Sequence, residues 1–255
     1  MLKGKTITLV IPCKNEEKAL TSLLRKVPSC IDEVIIVDNN SSDATKLVAK
    51  SLGAQVITEK RQINGIGYGF AHQKGIKAAS GDIIVTADGD GTYPFSEIKK
   101  AVLFMLKNEL QFVSCNRFPL KTSDAVSSIR KLGVWILNTQ VRVLYGYPIK
   151  DILSGMWIID QSIVNLLQMK EGGWDLSPEI KLAAITQPNI AFDEFHINHH
   201  YRQGDSKQQI WQTGFGHLVF IAKWKLIRVW NELITSTGIS RVWGMLQTEL
   251  FEPAI

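Results

Sequence analysis

Three short apolar runs constrain this chain more than anything else in it: T-I-T-L-V-I-P (residues 6–12), E-V-I-I-V-D (33–38) and D-I-I-V-T-A-D-G-D (82–90). Each stops abruptly, at Pro12, Asp38 and Asp88. Runs this short and this apolar are the pattern of strands buried on both faces. Helical segments fall between them. Asn15 is placed to cap a helix through Val27, with Glu16 and Glu17 in its first turn, and Asp43 to cap a second through Ser51. Residues 55–58 form a further strand, followed by a basic, glycine-rich loop (K-R-Q-I-N-G-I-G-Y-G) and a helix to Ala79. Residues 95–107 predict another helix and 111–115 a fifth strand. Alternation of this kind, with short links, predicts an α/β fold: a mostly parallel central sheet with helices on both faces. Right-handed crossovers then bring Pro12, Asp38 and Asp88 to one edge of that sheet, where a crevice opens.

The chain has 255 residues, enough for one large domain. Hydrophobic residues make up 45% and charged residues 21%, which argues against disorder. A formal net charge of +5 suits anionic partners without choosing among them. Cys13, Cys30 and Cys115 are odd in number and form no C-x-x-C, which fits a reducing compartment without disulfides or a thiolate zinc site. The first strand begins within a few residues of Met1, so no signal peptide is expected. No run approaches the ~18 apolar residues that a membrane span requires. No aromatic cluster with interleaved arginine suggests nucleic-acid binding. The expected location is cytoplasmic, with peripheral attachment to the membrane as the alternative.

The second half is less regular. Residues 130–145 have helical spacing, 155–160 and 190–200 are candidate strands, and 161–169 and 178–185 candidate helices. The expected division is a catalytic body, residues 1–207, and a helical tail, 208–255. In the tail Trp211, Phe215, Leu218, Leu226, Val229 and Leu233 share one helical face, and Phe220, Trp224, Ile227 and Ile234 the adjoining one. His217, Lys225, Arg228 and Glu232 fill the narrow remainder. Two apolar faces exceed what a surface helix needs. The second must cover another helix, a partner chain or lipid.

The chemistry concentrates in D-G-D-G-T-Y-P (88–94). Asp88 and Asp90 supply hard oxygen ligands of the kind Mg²⁺ or Mn²⁺ selects. Gly89 and Gly91 allow a sharp turn and close approach of a ligand. The competing readings are a solvated turn or a calcium loop, whose acid series is not completed here.

These stretches, in order V-I-P-C-K-N-E-E, I-I-V-D-N-N-S-S-D-A-T, T-A-D-G-D-G-T-Y-P, D-I-L-S-G and Y-R-Q-G-D-S-K, resemble the family 2 inverting glycosyltransferases of GT-A fold. Within them the chain is most similar to the dolichol-phosphate mannosyltransferase or polyprenyl-phosphate branch. The resemblance implies a nucleotide-sugar donor, UDP- or GDP-linked, bound by Pro12, Lys14, Glu16, Asp38, Asp88 and Gly89. It implies Mg²⁺ or Mn²⁺ held by Asp88, Asp90 and Thr92, where close relatives place a glutamine at the last position. Arg202 and Lys207 are expected to fold over the diphosphate, and Arg117 and Arg130 to hold an acceptor phosphate. A lipid phosphate is already anionic and needs no base, whereas a hydroxyl acceptor does. Asp151, Asp175 and Glu179 are the candidate bases in that second case, with bracing of the D-I-L-S-G loop the expected role of Asp151. His199 and His200 are expected to be structural, pointing to opposite faces of a strand. A nucleotidyltransferase lacks its activating glycine-rich loop here. A non-catalytic basic scaffold at a membrane would leave Asp38, Asp88 and Asp90 without purpose.

Overall fold

A computed structural model describes residues 1–120, 126–201 and 209–237, with side chains as far as 234. Seven strands are present among these residues: β1 (Ile7–Cys13), β2 (Glu33–Asp38), β3 (Gln55–Thr58), β4 (Ile83–Thr86), β5 (Phe112–Asn116), β6 (Trp157–Asp160) and β7 (Phe192–His196). They form one sheet in the order β3-β2-β1-β4-β6-β5-β7. The helices are α1 (Glu17–Leu24), α2 (Thr45–Ser51), α3 (Tyr68–Ala78), α4 (Ile98–Lys107), α5 (Ser128–Tyr145), α6 (Leu176–Thr186) and α7 (Ile210–Thr237).

Period-two alternation divides β1 between two cores. Ile7, Leu9 and Ile11 pack with Leu20 and Leu23 of α1 and with Ala101, Val102 and Met105 of α4. Val10 faces the other way, onto Ala71 and Ile76 of α3 and Ile180 of α6. Burial of each such side chain contributes about 1.5–3 kcal/mol, so the central strands anchor both layers.

One strand departs from the parallel pattern. β6 runs antiparallel between β4 and β5, pairing Val85 with Ile158 and Val113 with Ile158. The chain leaves β5 at the edge where β1, β2 and β4 also end, traverses α5, and re-enters at that same edge. β6 must therefore descend. The reversal delivers the D-I-L-S-G loop beside Asp88, and Thr86 fixes it there: its hydroxyl donates to Gly155 O at 3.0 Å and accepts from Trp157 N at 3.0 Å.

Two helix starts differ from expectation. Asn15 takes a left-handed φ of 56° and does not cap α1, which begins at Glu17. Its Oδ1 instead accepts from Ser42 N at 2.8 Å. Asp43 accepts from Thr45 N at 3.0 Å and from Glu17 N at 3.2 Å, serving the starts of α2 and α1 together.

The tail helix packs through the sector around His217 and Ile221, which the sequence reading gave to the narrow polar remainder, flanked by Leu218 of the first apolar face and Trp224 of the second. Ile221 is fully buried with Leu137 and Val141 of α5, and Phe220 and Trp224 lie against the same cluster. Trp211, Phe215, Leu226 and Leu233, on the other face, are exposed. Gln140 Nε2 donates to Leu218 O at 2.9 Å and Tyr145 Oη to Ile221 O at 2.7 Å, which fastens α7 to α5. Among the described residues no helix is long and apolar enough to cross a membrane.

Candidate active site

The edge where β1, β2 and β4 end carries a cavity of about 760 Å³, lined by Pro12, Lys14, Glu16, Gly89, Asp88 and Asp90 among others. Its volume lies within the roughly 300–1,000 Å³ usual for a bound small molecule. Lys14 Nζ reaches across to donate to Gly65 O at 2.8 Å, closing one side with the glycine-rich loop. Of the sequence-predicted donor residues, Pro12, Lys14, Glu16, Asp88 and Gly89 all line this space.

Asp38 does not. It is fully buried behind the wall, where its Oδ1 accepts from Ser41 N at 3.2 Å and its Oδ2 stands 3.2 Å from Lys46 Nζ. Because side chains alternate along a strand, the next residue takes the opposite direction. Asn39 is the residue that lines the cavity. Its Nδ2 donates to Glu59 O at 3.0 Å, and its Oδ1 accepts from Gln62 Nε2 at 3.5 Å.

The two acids are held differently. Asp90 is 4% exposed, and its Oδ1 accepts from Thr92 N at 3.0 Å and from Thr92 Oγ1 at 2.6 Å. Thr92 Oγ1 thus donates to Asp90 and orients it, with its own lone pairs left over. Asp88 Oδ1 is buried without a hydrogen-bond partner and lies 3.9 Å from His72 Nε2. An orphaned carboxylate oxygen beside a second acid is a site built for a cation. Among the described residues no third His, Cys, Asp or Glu joins the pair to complete a protein cage. That composition fits Mg²⁺ or Mn²⁺, which take one or two carboxylates and complete their shell with water and substrate phosphates. Close approach is secured by two glycines. A Cβ on Gly89 would lie 2.5 Å from Cys13 Sγ, and one on Gly155 2.3 Å from Tyr68 Oη and 3.3 Å from Asp88 Oδ1.

Behind Asp88 stands an aromatic group missed by the sequence reading. The His72 ring, wholly buried, lies 4.5 Å from Tyr68 and 4.9 Å from Trp157, and Trp174 lies 4.8 Å from Tyr68. Burial lowers the His72 pKa, against the partial support of Asp88, so the ring is a neutral neighbour of the acid.

A second, smaller cavity of about 190 Å³ adjoins the acids on the far side. Arg117, Arg130 and Thr92 line it as charged or polar walls. Val126, Ile129, Val134, Leu137, Leu153 and Ile210 supply an apolar wall, and Tyr93, Ser177, His199, Thr213 and His217 add further polar groups. Arg117 is held by Asp151 through Nε at 2.6 Å and Nη2 at 2.9 Å, and Arg117 N donates to the same carboxylate at 3.1 Å. Burial opposes both charges, yet each stabilises the other, so the Asp151 pKa falls and that of Arg117 rises. Lys181, also fully buried, donates to the carbonyls of Asp151, Ile152 and Ser154 at 3.1, 2.7 and 2.6 Å. Asp151 thus braces the loop, as expected. Glu179 accepts from Lys170 N at 3.0 Å and Glu171 N at 2.9 Å, so it too is structural.

Two further residues are placed differently from the sequence reading. β7 ends at His196, so strand alternation does not reach His199. His199 lines the smaller cavity, stacked edge-on to Tyr93, and burial with the nearby Arg117 charge pushes its pKa down to about 4. His217, assigned to the tail's polar stripe, is 2% exposed and lines both cavities. Its Nδ1 lies 2.6 Å from Asp175 Oδ1. Arg202 and Lys207 lie outside the described residues.

Known proteins resemble this chain in sequence and fold. An uncharacterised glycosyltransferase of Mycobacterium tuberculosis is 32% identical over 184 residues, covering 72% of this chain and 81% of its own length. The dolichyl-phosphate hexose transferase of Haloferax volcanii is 28% identical over 205 residues, covering 79% of this chain and 86% of the relative. Among solved structures, glucosyl-3-phosphoglycerate synthase from M. tuberculosis in complex with uridine diphosphate has a TM-score of 0.70 at 20% identity, covering 86% of this chain and 80% of that one. The same enzyme with Mn²⁺, UDP-glucose and phosphoglyceric acid gives 0.64 at 19%, with the same coverage. These likenesses establish the GT-A fold. The family model described as "Glycosyl transferase family 2" matches residues 8–167, and with it this chain belongs to family 2 of the glycosyltransferases.

Proposed function

We propose that this glycosyltransferase moves one sugar from a UDP- or GDP-linked donor to a polyprenyl phosphate. The observation that carries the acceptor assignment is the apolar wall of the smaller cavity. Ile129, Val134, Leu137, Leu153 and Ile210 suit the first isoprene units, and Arg117 and Arg130, which line the same cavity as Asp88 and Asp90, would hold a phosphate. A small, fully polar acceptor would leave that wall wet.

The donor would occupy the larger cavity, its base against Asn39 and its diphosphate toward Asp88 and Asp90. A divalent cation seated on those acids supplies positive charge opposite the departing diphosphate. The protein's own part is positioning. Thr92 fixes Asp90, Gly89 and Gly155 admit the donor close to the backbone, and the Arg117–Asp151 pair holds a cation at the acceptor's side. Such preorganised charge is worth most where water is excluded.

The membrane would be met by the uncovered face of α7, through Trp211, Phe215, Leu226 and Leu233, continued on α5 by Leu132 and Trp135. The dolichyl-phosphate hexose transferase likeness supports this reading. A second reading, transfer to a hydroxyl, is favoured by the likeness to glucosyl-3-phosphoglycerate synthase, which is 33% identical over 141 residues but covers only 51% of this chain.

A panel of nucleotide sugars incubated with Mn²⁺ or Mg²⁺ and either polyprenyl phosphate or 3-phosphoglycerate, read by product mass, separates the two. A sugar-phosphate-lipid product supports the proposal. Products on the hydroxyl acceptor alone overturn it.

A further inference from the structure

His217 sits where the two cavities meet. Six residues line both: Tyr68, Asp88, Asp90, Trp174, Thr213 and His217. The acids are committed to the cation on the reading above. Burial raises the Tyr68 hydroxyl pKa far above its ordinary value, with the charge of Asp88 adding to the effect. His217 is the remaining side chain of the six with a ring nitrogen able to accept a proton. The other candidate bases are occupied elsewhere, Asp151 by Arg117 and Glu179 by the backbone of Lys170 and Glu171, and neither lines a cavity.

Resting on that reading of the site, we propose that His217, oriented by Asp175, receives the acceptor's proton during transfer. Asp175 takes the Nδ1–H, at 2.6 Å, so the Nε2 lone pair is the pole left for the acceptor. The ring cannot wander, because α7 is fastened to α5 on the turns that follow, at Leu218 and Ile221. The other charged or titratable groups bordering the same cavities are Cys13, Lys14, Glu16, Tyr68, Asp88, Asp90, Tyr93, Arg117, Arg130 and His199.

A phosphate monoester retains one proton below its second pKa of about 6. In that protonation state the acceptor's proton passes to Nε2 and the freed oxygen forms a bond to the anomeric carbon. The bond from that carbon to the donor's diphosphate oxygen breaks, and its electron pair leaves with the diphosphate. The imidazolium is stabilised by Asp175. A hydroxyl acceptor would lose its proton by the same route at every pH.

His217→Gln and Asp175→Asn in the full-length enzyme test this, with kcat/KM for the acceptor followed from pH 5.5 to 8.5 at saturating donor. UDP affinity in the presence of Mn²⁺ serves as the control. With polyprenyl phosphate, His217→Gln should lose about fourfold at pH 5.5, where only about a quarter of the acceptor is already deprotonated, and recover as pH rises past the acceptor's own pKa, with UDP affinity within about twofold. Asp175→Asn should follow the same profile, and the double variant should be little worse than either. With a hydroxyl acceptor the loss should persist at every pH, which retains the dyad while removing the lipid-phosphate reading. Wild-type turnover in His217→Gln across the pH range overturns the proposal. So does a loss of UDP affinity in parallel with turnover in both His217→Gln and His217→Asn, because the ring would then be a support of the fold.

Discussion

The two cavities that meet at Asp88 and Asp90 are built in opposite ways. The donor cavity draws Lys14, Asn39 and Asp88 from loops that follow parallel strands, just after Cys13, Asp38 and Thr86 in the chain, and is completed by Trp174 and Asp175 before α6 and by Gln212 and Gly216 of α7. The acceptor cavity is assembled from helices and an antiparallel strand entry, so its polar walls depend on pairs distant in sequence. Arg117 meets Asp151 across 34 residues, Lys181 meets Ile152 across 29 and His217 meets Asp175 across 42. The difference teaches that local sequence order makes a nucleotide site, whereas the partner that receives the sugar is set by tertiary packing. Substitutions on the two sides should therefore fail differently: donor-side changes in chemistry, acceptor-side changes in chemistry and stability together.

The largest effect is expected on the donor side. Asp90→Asn should reduce transfer about 10³-fold or more while leaving the unfolding midpoint unchanged, because the carboxylate sits at a cavity wall and not in the core. Kinetics paired with a thermal melt would check it. A large fall in melting temperature would erase the distinction between the two sides.

Next comes Arg117→Met. It leaves Asp151 buried without its cation, a loss of about 3–5 kcal/mol on the usual cost of breaking a buried pair. Urea unfolding measures that directly. Restoration of much of the loss by Asp151→Asn in the same chain would confirm that the cost is an unpaired charge.

A smaller effect concerns pH. Burial pushes Lys181 down to about 7, below its unfolded value, with Asp151 and Glu194 opposing the shift and Arg117 adding to it. Between those two pKa values the unfolded chain binds more protons than the folded one. Stability should therefore rise as pH goes from 7 toward 10, by something on the order of 2 kcal/mol. Lys181→Met cannot titrate, so its unfolding free energy should lack this slope. Identical slopes in the two proteins would place the charge of Lys181 outside the balance.

The smallest effect is at the surface. Trp211→Ser with Phe215→Ser should lower flotation with anionic liposomes by about tenfold, with turnover on a short-chain acceptor unaffected. Wild-type flotation in that variant would assign the uncovered α7 face to something other than lipid.

How much of this was legible follows the same divide. Apolar runs and their stops placed β1, β2 and β4, and with them Pro12, Glu16, Asp88 and Asp90 at one edge, because strand burial is written in local composition. The descent of β6 was not written there, since strand direction depends on where α5 returns the chain. Nor was the role of His217. Periodicity found the exposed face of α7, but the face that packs on α5 is the narrow stripe around His217 and Ile221, and a lone histidine there carries no local sign of an aspartate 42 residues away.

The central claim is that a cation and a nucleoside diphosphate are seated together by the acids after β4. Electron paramagnetic resonance of Mn²⁺, titrated with and without UDP or GDP, tests it most directly. Wild type should bind Mn²⁺ tightly only when the preferred nucleotide is present, and Asp88→Asn and Asp90→Asn should lose that coupling while remaining folded. Equal Mn²⁺ and nucleotide binding in wild type and Asp90→Asn would contradict the account.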